Sequence, residues 1–428
     1  MRKQSAVINI KRYSEISGFE KVCNFFLPVA AIFQTYGWGK YDFAFIISII
    51  LILWGWWNRG IPYLKMPKLL SLYLFYYLII EFMSVTGTDG IIEIIPVGWI
   101  RMYLEFGLFF SIINLKILEK YYTKSAWVCL VFFYIQIIVF NVTGKRIPGV
   151  TSLLPVALDV NLGDYFSFIS SENYRSCSFF SEPAHFAQFL LPLLTLKLFK
   201  RNKREWIFIC SIILTLLLLR SGNGIVGLGV VGICYIFYLL KNASIWKKFI
   251  LLIILPVSLT LGIGYYIQSD SAQELFSRTD QLNNNANAES GISGFIRIYR
   301  GYYVYEELSP IRKIFGANNP RLIKDAISKS VVSGLFLSKD DMYFNVVQSA
   351  LIRTGIIGTI ILFLVYLNLF IRGDTGARTL ILTIFILSFI AALYLNETML
   401  LFFILAQRLH KHISYKIYTP KLIRKILS

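Results

Sequence analysis

Long apolar runs separated by short polar turns dominate the 428 residues of this chain. Judged by apolar length, about twelve helical membrane spans are expected. They fall near 21–37, 42–57, 69–86, 97–115, 125–143, 178–197, 205–220, 222–240, 247–267, 343–370, 378–394 and 396–409. The connections 58–68, 116–124, 198–204, 241–246 and 371–377 are short and basic, as in Leu198-Phe-Lys-Arg-Asn-Lys-Arg204. Strict alternation puts all of them on one side, which the positive-inside rule makes cytoplasmic, with both termini inside. Residues 144–177 and 268–342 form two long external segments, too long to be mere connectors. Within the second, short helices are expected near 295–308 and 320–329. The run 222–240 carries Gly224, Gly227, Gly229 and Gly232, a pattern that suits close helix packing. No convincing internal repeat is visible.

This pattern divides the chain into four parts. Residues 1–267 form an N-terminal bundle of about nine spans. Residues 268–342 form a large external loop, 343–409 the C-terminal helices and 410–428 a basic cytoplasmic tail. The expected class is all-α and polytopic.

Composition removes the soluble alternatives. The chain is 56% hydrophobic and only 16% charged, with a mean hydropathy of +0.61. Soluble domains carry nearer a quarter of charged residues. The first twenty residues are polar and basic and do not have the form of a cleavable signal peptide. A formal charge of +19 would suit nucleic acid, but the basic residues concentrate in the cytoplasmic connections and tail, so no nucleic-acid partner is expected. The tail from Arg408 to Lys425 either touches anionic membrane lipids or serves only as a topology signal. The five cysteines show no paired spacing, so neither a disulfide framework nor a zinc site is expected, and no metal or other cofactor is assigned.

The chemistry concentrates in Arg175-Ser-Cys-Ser-Phe-Phe-Ser-Glu-Pro-Ala-His-Phe-Ala-Gln-Phe-Leu190. Ionisable groups at the mouth of a membrane-length segment are costly and therefore point to function. Ser181 is a candidate helix cap and Pro183 suits a first turn. Glu182 and His185 would then share a face. Arginines collect on the external side: Arg101, Arg175, Arg220, Arg297, Arg300 and Arg353. Guanidinium forks suit phosphate, so a diphosphate headgroup is the matching ligand. Each arginine could instead snorkel and anchor a helix end. That reading is taken for Arg353, and Arg101 could simply pair with Glu105. Arg297 and Arg300 are three apart in Gly294-Phe-Ile-Arg-Ile-Tyr-Arg-Gly-Tyr-Tyr-Val-Tyr305. There Tyr299 and Tyr303 could stack on sugar rings, or the segment could lie on the membrane surface. Acid and base candidates are Glu182, His185, Glu289, Asp340 and Asp341.

Taken in order, these residues resemble the Wzy-type O-antigen polymerase and O-antigen ligase superfamily of bacterial surface-polysaccharide assembly. Arg175 followed by Phe179-Phe-Ser-Glu-Pro-Ala-His-Phe186 is similar to that family's Arg…Phe-x-Glu-Pro…Phe stretch. Ser293-Gly-Phe-Ile-Arg297 running to Ser309-Pro310 and Ile314-Phe-Gly316 resembles its arginine helix. Asn345 to Gly355-Ile-Ile-Gly358 is similar to the helix closing its large periplasmic loop. The resemblance covers most of the chain. It implies a glycosyltransferase-C-like architecture in the bacterial inner membrane, with the active site facing the periplasm. It also implies inverting, metal-independent transfer of a growing glycan from undecaprenyl diphosphate onto a lipid-linked oligosaccharide. On that basis Arg175, Arg220, Arg297 and Arg300 hold diphosphate, Glu182 and His185 shape the site, and Asp341 or Glu182 is the base. A flippase and a chain-length regulator would be typical partners. Ligases of the family carry a histidine late in the loop, where this chain reads Ser338-Lys-Asp-Asp-Met-Tyr-Phe344, which favours polymerase over ligase.

A lipid-linked oligosaccharide flippase is the rival from another class. It would need charge in mid-membrane, and the spans are nearly free of it apart from Glu81 and the Arg101/Glu105 pair. A receptor or structural membrane protein is a third reading, in which the external arginines would be surplus.

Overall fold

A computed structural model describes residues 17–38, 41–59, 66–85, 97–151, 153–156, 175–200, 205–242, 298–331 and 344–409. The protein is mostly helical. The chain forms α1 (Gly18–Phe33), α2 (Phe43–Arg59), α3 (Lys68–Val85), α4 (Val97–Ile112), α5 (Leu115–Thr143), α6 (Pro183–Phe199), α7 (Trp206–Leu218) and α8 (Gly222–Asn242). After these come α9 (Arg300–Glu306), α10 (Pro310–Phe315), α11 (Pro320–Lys329), α12 (Val346–Arg372), α13 (Thr375–Leu387) and α14 (397–409). Strands β1 (Gly37–Trp38) and β2 (Tyr41–Asp42) make a small antiparallel hairpin before α2. Every expected apolar segment except 247–267 coincides with a helix; that one lies outside the described residues. Among the described residues, three helices are long and apolar enough to cross a membrane: Leu115–Thr143, Gly222–Lys241 and Val346–Arg372.

Neighbouring helices alternate in direction, and side-chain contacts tie their ends together. At one end, called lower here, Lys197 near the end of α6 pairs with Glu119 near the start of α5 at 3.0 Å and with Glu205 just before α7 at 2.6 Å. Lys200 also pairs with Glu119. Arg408 of α14 donates to the Phe110 carbonyl of α4 at 2.7 Å. At the upper end, Gln34 after α1 donates to Glu397 at the start of α14. Val346 and Val347 donate to the carbonyls of Ala391 and Ser388, both after α13, each at 3.2 Å. Exposed aromatics mark both ends of α2: Trp38 and Tyr41 above, Trp54, Trp56 and Trp57 below. Such residues suit membrane–water interfaces.

The larger core cluster buries Phe106, Phe109, Phe133, Phe180, Phe186 and Phe402 fully, and a second, smaller cluster gathers Val304, Leu308, Ala317, Ile323, Ala326, Ile327, Phe344 and Ile352. The glycine-rich helix α8 uses half of its pattern for packing. An added Cβ at Gly224 would meet Ala187, and one at Gly227 would strike Leu191 of α6; Gly229 and Gly232 face open space. α5 starts ten residues earlier than expected, because Asn114 accepts from the Lys116 N–H at 3.0 Å and no breaker intervenes before Gly144. The expected connection 116–124 is therefore helix.

α12 is broken. Gly355 has φ 63° and ψ −169° inside an otherwise helical run. The turn after α10 fills the break, with Gly316 at φ 107°. A Cβ at Gly355 would sit 2.3 Å from the Ile314 carbonyl oxygen, and one at Gly316 would sit 2.3 Å from that of Arg353. Ala317 N–H donates to the Ile352 carbonyl at 2.8 Å, which recovers an acceptor that the break releases. Holding a side chain in that left-handed backbone region costs about 1–3 kcal/mol before any clash. Gly355→Ala is therefore expected to lower the thermal unfolding midpoint in detergent clearly. Gly229→Ala, in open space, is expected to leave it unchanged or raise it slightly. Equal midpoints for the two variants would rule out the interlock.

Candidate functional site

The Arg175–Leu190 stretch owes its position to a buried polar latch on α5. Gln136 accepts from the Ser178 N–H at 2.9 Å and donates to the Ser178 carbonyl at 3.3 Å and the Ile147 carbonyl at 3.0 Å. Ser178 Oγ donates to the Cys129 carbonyl at 2.7 Å. Ser178 itself has φ 57°. The chain passes so close to Gly149 that a Cβ there would lie 2.1 Å from the Ser178 carbonyl oxygen. Two aromatic stacks seat the residues that follow. Phe179 lies over Phe132 at 4.2 Å, and Phe180 over Phe186 at 5.2 Å.

Beyond this anchor the helix starts one residue later than expected. Glu182, not Ser181, occupies the cap position, and its side chain makes no capping bond. Pro183 falls in the first turn, as expected. The Ser181 hydroxyl instead lies 3.3 Å from His185 Nδ1. Glu182 is exposed and His185 half-buried, so both carry polar atoms to the upper mouth of α6. Arg175 donates through Nη1 to the Arg220 carbonyl. Arg220 lies between α7 and α8 with φ 49°, a region that costs a non-glycine residue energy. The Arg175 side chain thus ties the segment leading to α6 to the turn between α7 and α8, 45 residues away.

Arg300 is held by different neighbours. It is 1% exposed on α9, with its guanidinium 5.7 Å from the centroid of the Phe344 ring. α9 rests on the first turns of α12, where Gln348 donates to the Ile298 carbonyl at 2.8 Å. Tyr299 is exposed and Tyr303 half-buried. Partial burial raises the hydroxyl pKa of their neighbours Tyr302 and Tyr305. Arg297, Glu289, Asp340 and Asp341 lie outside the described residues, as does the side chain of Arg101, while Glu105 is buried. Among the described residues no three His, Cys, Asp or Glu side chains come together as a metal site would require.

One polar cluster has no counterpart in the sequence reading. Arg353 is not a simple helix-end anchor: it sits just above the break in α12 and donates to Asn318 Oδ1 at 3.1 Å. Tyr77 of α3 donates to the same oxygen at 2.9 Å. Glu81, one turn beyond Tyr77, interacts electrostatically with Arg353. Tyr73 and Tyr394 share a 2.6 Å hydrogen bond nearby. The available signal was Arg353-Thr-Gly355, a charge and a glycine adjacent inside a long apolar run.

No protein family, curated protein or solved structure matches this chain. The geometry itself therefore carries the functional argument.

Gln136→Leu removes both partners of the Ser178 backbone, and each orphaned buried group costs about 1–3 kcal/mol. Cys177, 1% exposed, is expected to become reactive to maleimide in that variant, in a background where Cys210 and Cys234 are alanine. Cys177 staying as protected as in the parent would show that the latch does not hold the stretch.

Proposed function

We propose that this protein is a membrane glycosyltransferase of the polysaccharide-polymerase kind, at the outer face of a bacterial inner membrane. It transfers a growing glycan from undecaprenyl diphosphate onto a lipid-linked oligosaccharide repeat unit. On this reading the shorter apolar helices cross the bilayer as well, giving about twelve spans with both termini in the cytoplasm. Alternation supports it, because α8 ends at the lower end while α9 begins at the upper one.

The observation that carries the proposal is that Arg175 is held on the Arg220 backbone in the segment that leads to Glu182 and His185 at the upper mouth of α6. A diphosphate leaving group gains negative charge as the glycosidic bond breaks, so fixed cations favour the transition state over the ground state. Arg297 and Arg300 would contribute further positive charge. Glu182 or Asp341 would take the acceptor hydroxyl's proton in a direct displacement that inverts the anomeric carbon without a metal. Tyr299 and Tyr303 would line the sugar path.

A transport reading draws support from one observation. A broken helix with Arg353 and Glu81 beside the break resembles the discontinuous helices at transporter sites. Reconstitution separates the two readings. Purified protein in liposomes receives synthetic undecaprenyl-diphosphate repeat units without added metal, and the products are run on a gel. A ladder of multiples is expected, and its loss with Arg175→Ala and Arg297→Ala at unchanged protein level. Full-length polymer from both variants would sink the assignment. No ladder, with the lipid-linked unit becoming accessible across the bilayer, would establish the flippase.

A further inference from the structure

Helix α10 presents a surface that the glycosyl-transfer reading does not use. None of its residues is buried. Ile311 is 72% exposed, Ile314 44% and Phe315 47%. These three occupy positions i, i+3 and i+4, which form one helical face. Its neighbour α11 behaves in the opposite way: Ile323, Ala326 and Ile327 are hidden against the protein, and Arg321, Asp325 and Lys329 face outward. The contrast within one small module means that α10's apolar face is not surplus core.

What surrounds that face identifies its occupant. Tyr76 of α3 donates to the Phe315 carbonyl at 3.0 Å, and the turn after α10 is locked into the break of α12. α10 therefore lies against Tyr76 of α3 and Gly355 of α12, next in sequence to the exposed Ile356. From Ile356 the exposed row on α12 continues through Ile360, Leu364, Leu367 and Ile371. Spaced three or four apart on a membrane-length helix, that row is a lipid-facing stripe. Residues 346–350, above the break, are by contrast wholly buried in protein. At about 1.5 Å per residue, α12 is about 40 Å long, more than the roughly 30 Å of hydrocarbon it has to cross. Its upper turns can therefore stand above the bilayer, which puts the boundary close to α10. Arg312 and Lys313 lie off the apolar face, on long stems that suit headgroup phosphates.

We propose that α10 is an interfacial helix lying on the phospholipid bilayer at the upper end, with Ile311, Ile314 and Phe315 among the acyl chains and Arg312 and Lys313 at headgroup level. The Tyr305 hydroxyl bonds the Lys313 carbonyl at 3.0 Å, so α10 also fixes the height of α9 and its arginine above the membrane. This inference rests on membrane insertion alone and stands whether or not the protein transfers sugars.

Spin-label accessibility in phospholipid nanodiscs tests it. Cys210 and Cys234 are replaced by alanine, and single labels are placed at Ile311→Cys and, separately, Phe315→Cys. Leu364→Cys serves as the lipid reference and Lys329→Cys as the water reference. Both α10 labels are expected to relax faster with oxygen than with a water-soluble nickel chelate, as at Leu364. Relaxation by nickel like that at Lys329 would overturn the proposal in favour of a water-exposed helix. Shielding from both reagents would overturn it in favour of a protein partner or a second copy. The two labels are independent, so either one decides if the other variant fails to fold.

Discussion

A bilayer offers no water to a backbone that leaves the helix, so each irregular segment near it must find its hydrogen bonds in protein. This constraint organises the upper half of the molecule. The break at Gly355 is tolerable because the turn after α10 fills it and Ala317 recovers the Ile352 carbonyl. The left-handed turn at Ser178 is tolerable because one glutamine side chain satisfies its N–H and its carbonyl together. Four of the described candidate groups hang from these repairs. Arg175, Glu182 and His185 flank the Ser178 latch, and Arg300 rides on the part of α12 above the break.

The two ends of the bundle solve the problem of charge in opposite ways. At the lower end Lys197 is nearly enclosed and answered by two carboxylates, with Lys200 on one of them. Such a network adds little net stability, since desolvation offsets most of the attraction, but losing one partner would be costly. It therefore fixes which helix ends lie together. At the upper end the Arg175 guanidinium is held by a backbone carbonyl, that of Arg220, instead of by a carboxylate ladder.

Much of this was legible in the sequence, because apolar length is a strong one-dimensional signal. The described helices among the expected segments from 21–37 to 396–409 followed from it; Pro183 marked a first turn by residue type, and the short helix expected at 320–329 is present as well. Details set by contacts distant in sequence did not. Ser181 looked like a cap by residue type, yet its hydroxyl turns to His185. Arg353 resembled a snorkelling anchor until Asn318, 35 residues away, arrived beside it. Six residues are too few for α10 to display a helical period. The Gln136–Ser178 latch joins residues 42 apart, and neither is unusual where it stands.

The same contacts bear on whether the break in α12 is a hinge or a clamp. A transporter would need the two halves of α12 to move and Arg353 to change partners during its cycle. The Ala317–Ile352 and Arg353–Asn318 hydrogen bonds tie the turn after α10 to the upper half of α12, and Tyr76–Phe315 ties the same turn to α3. At about 1 kcal/mol each, and more for the charged donor, these bonds oppose parting the turn from either helix. The turn also packs against the break itself, where a Cβ at Gly355 would lie 2.7 Å from the Gly316 nitrogen. A clamp that holds α9 and Arg300 against α12 suits an enzyme that must present a diphosphate in one geometry, and for that reason the transferase reading is preferred.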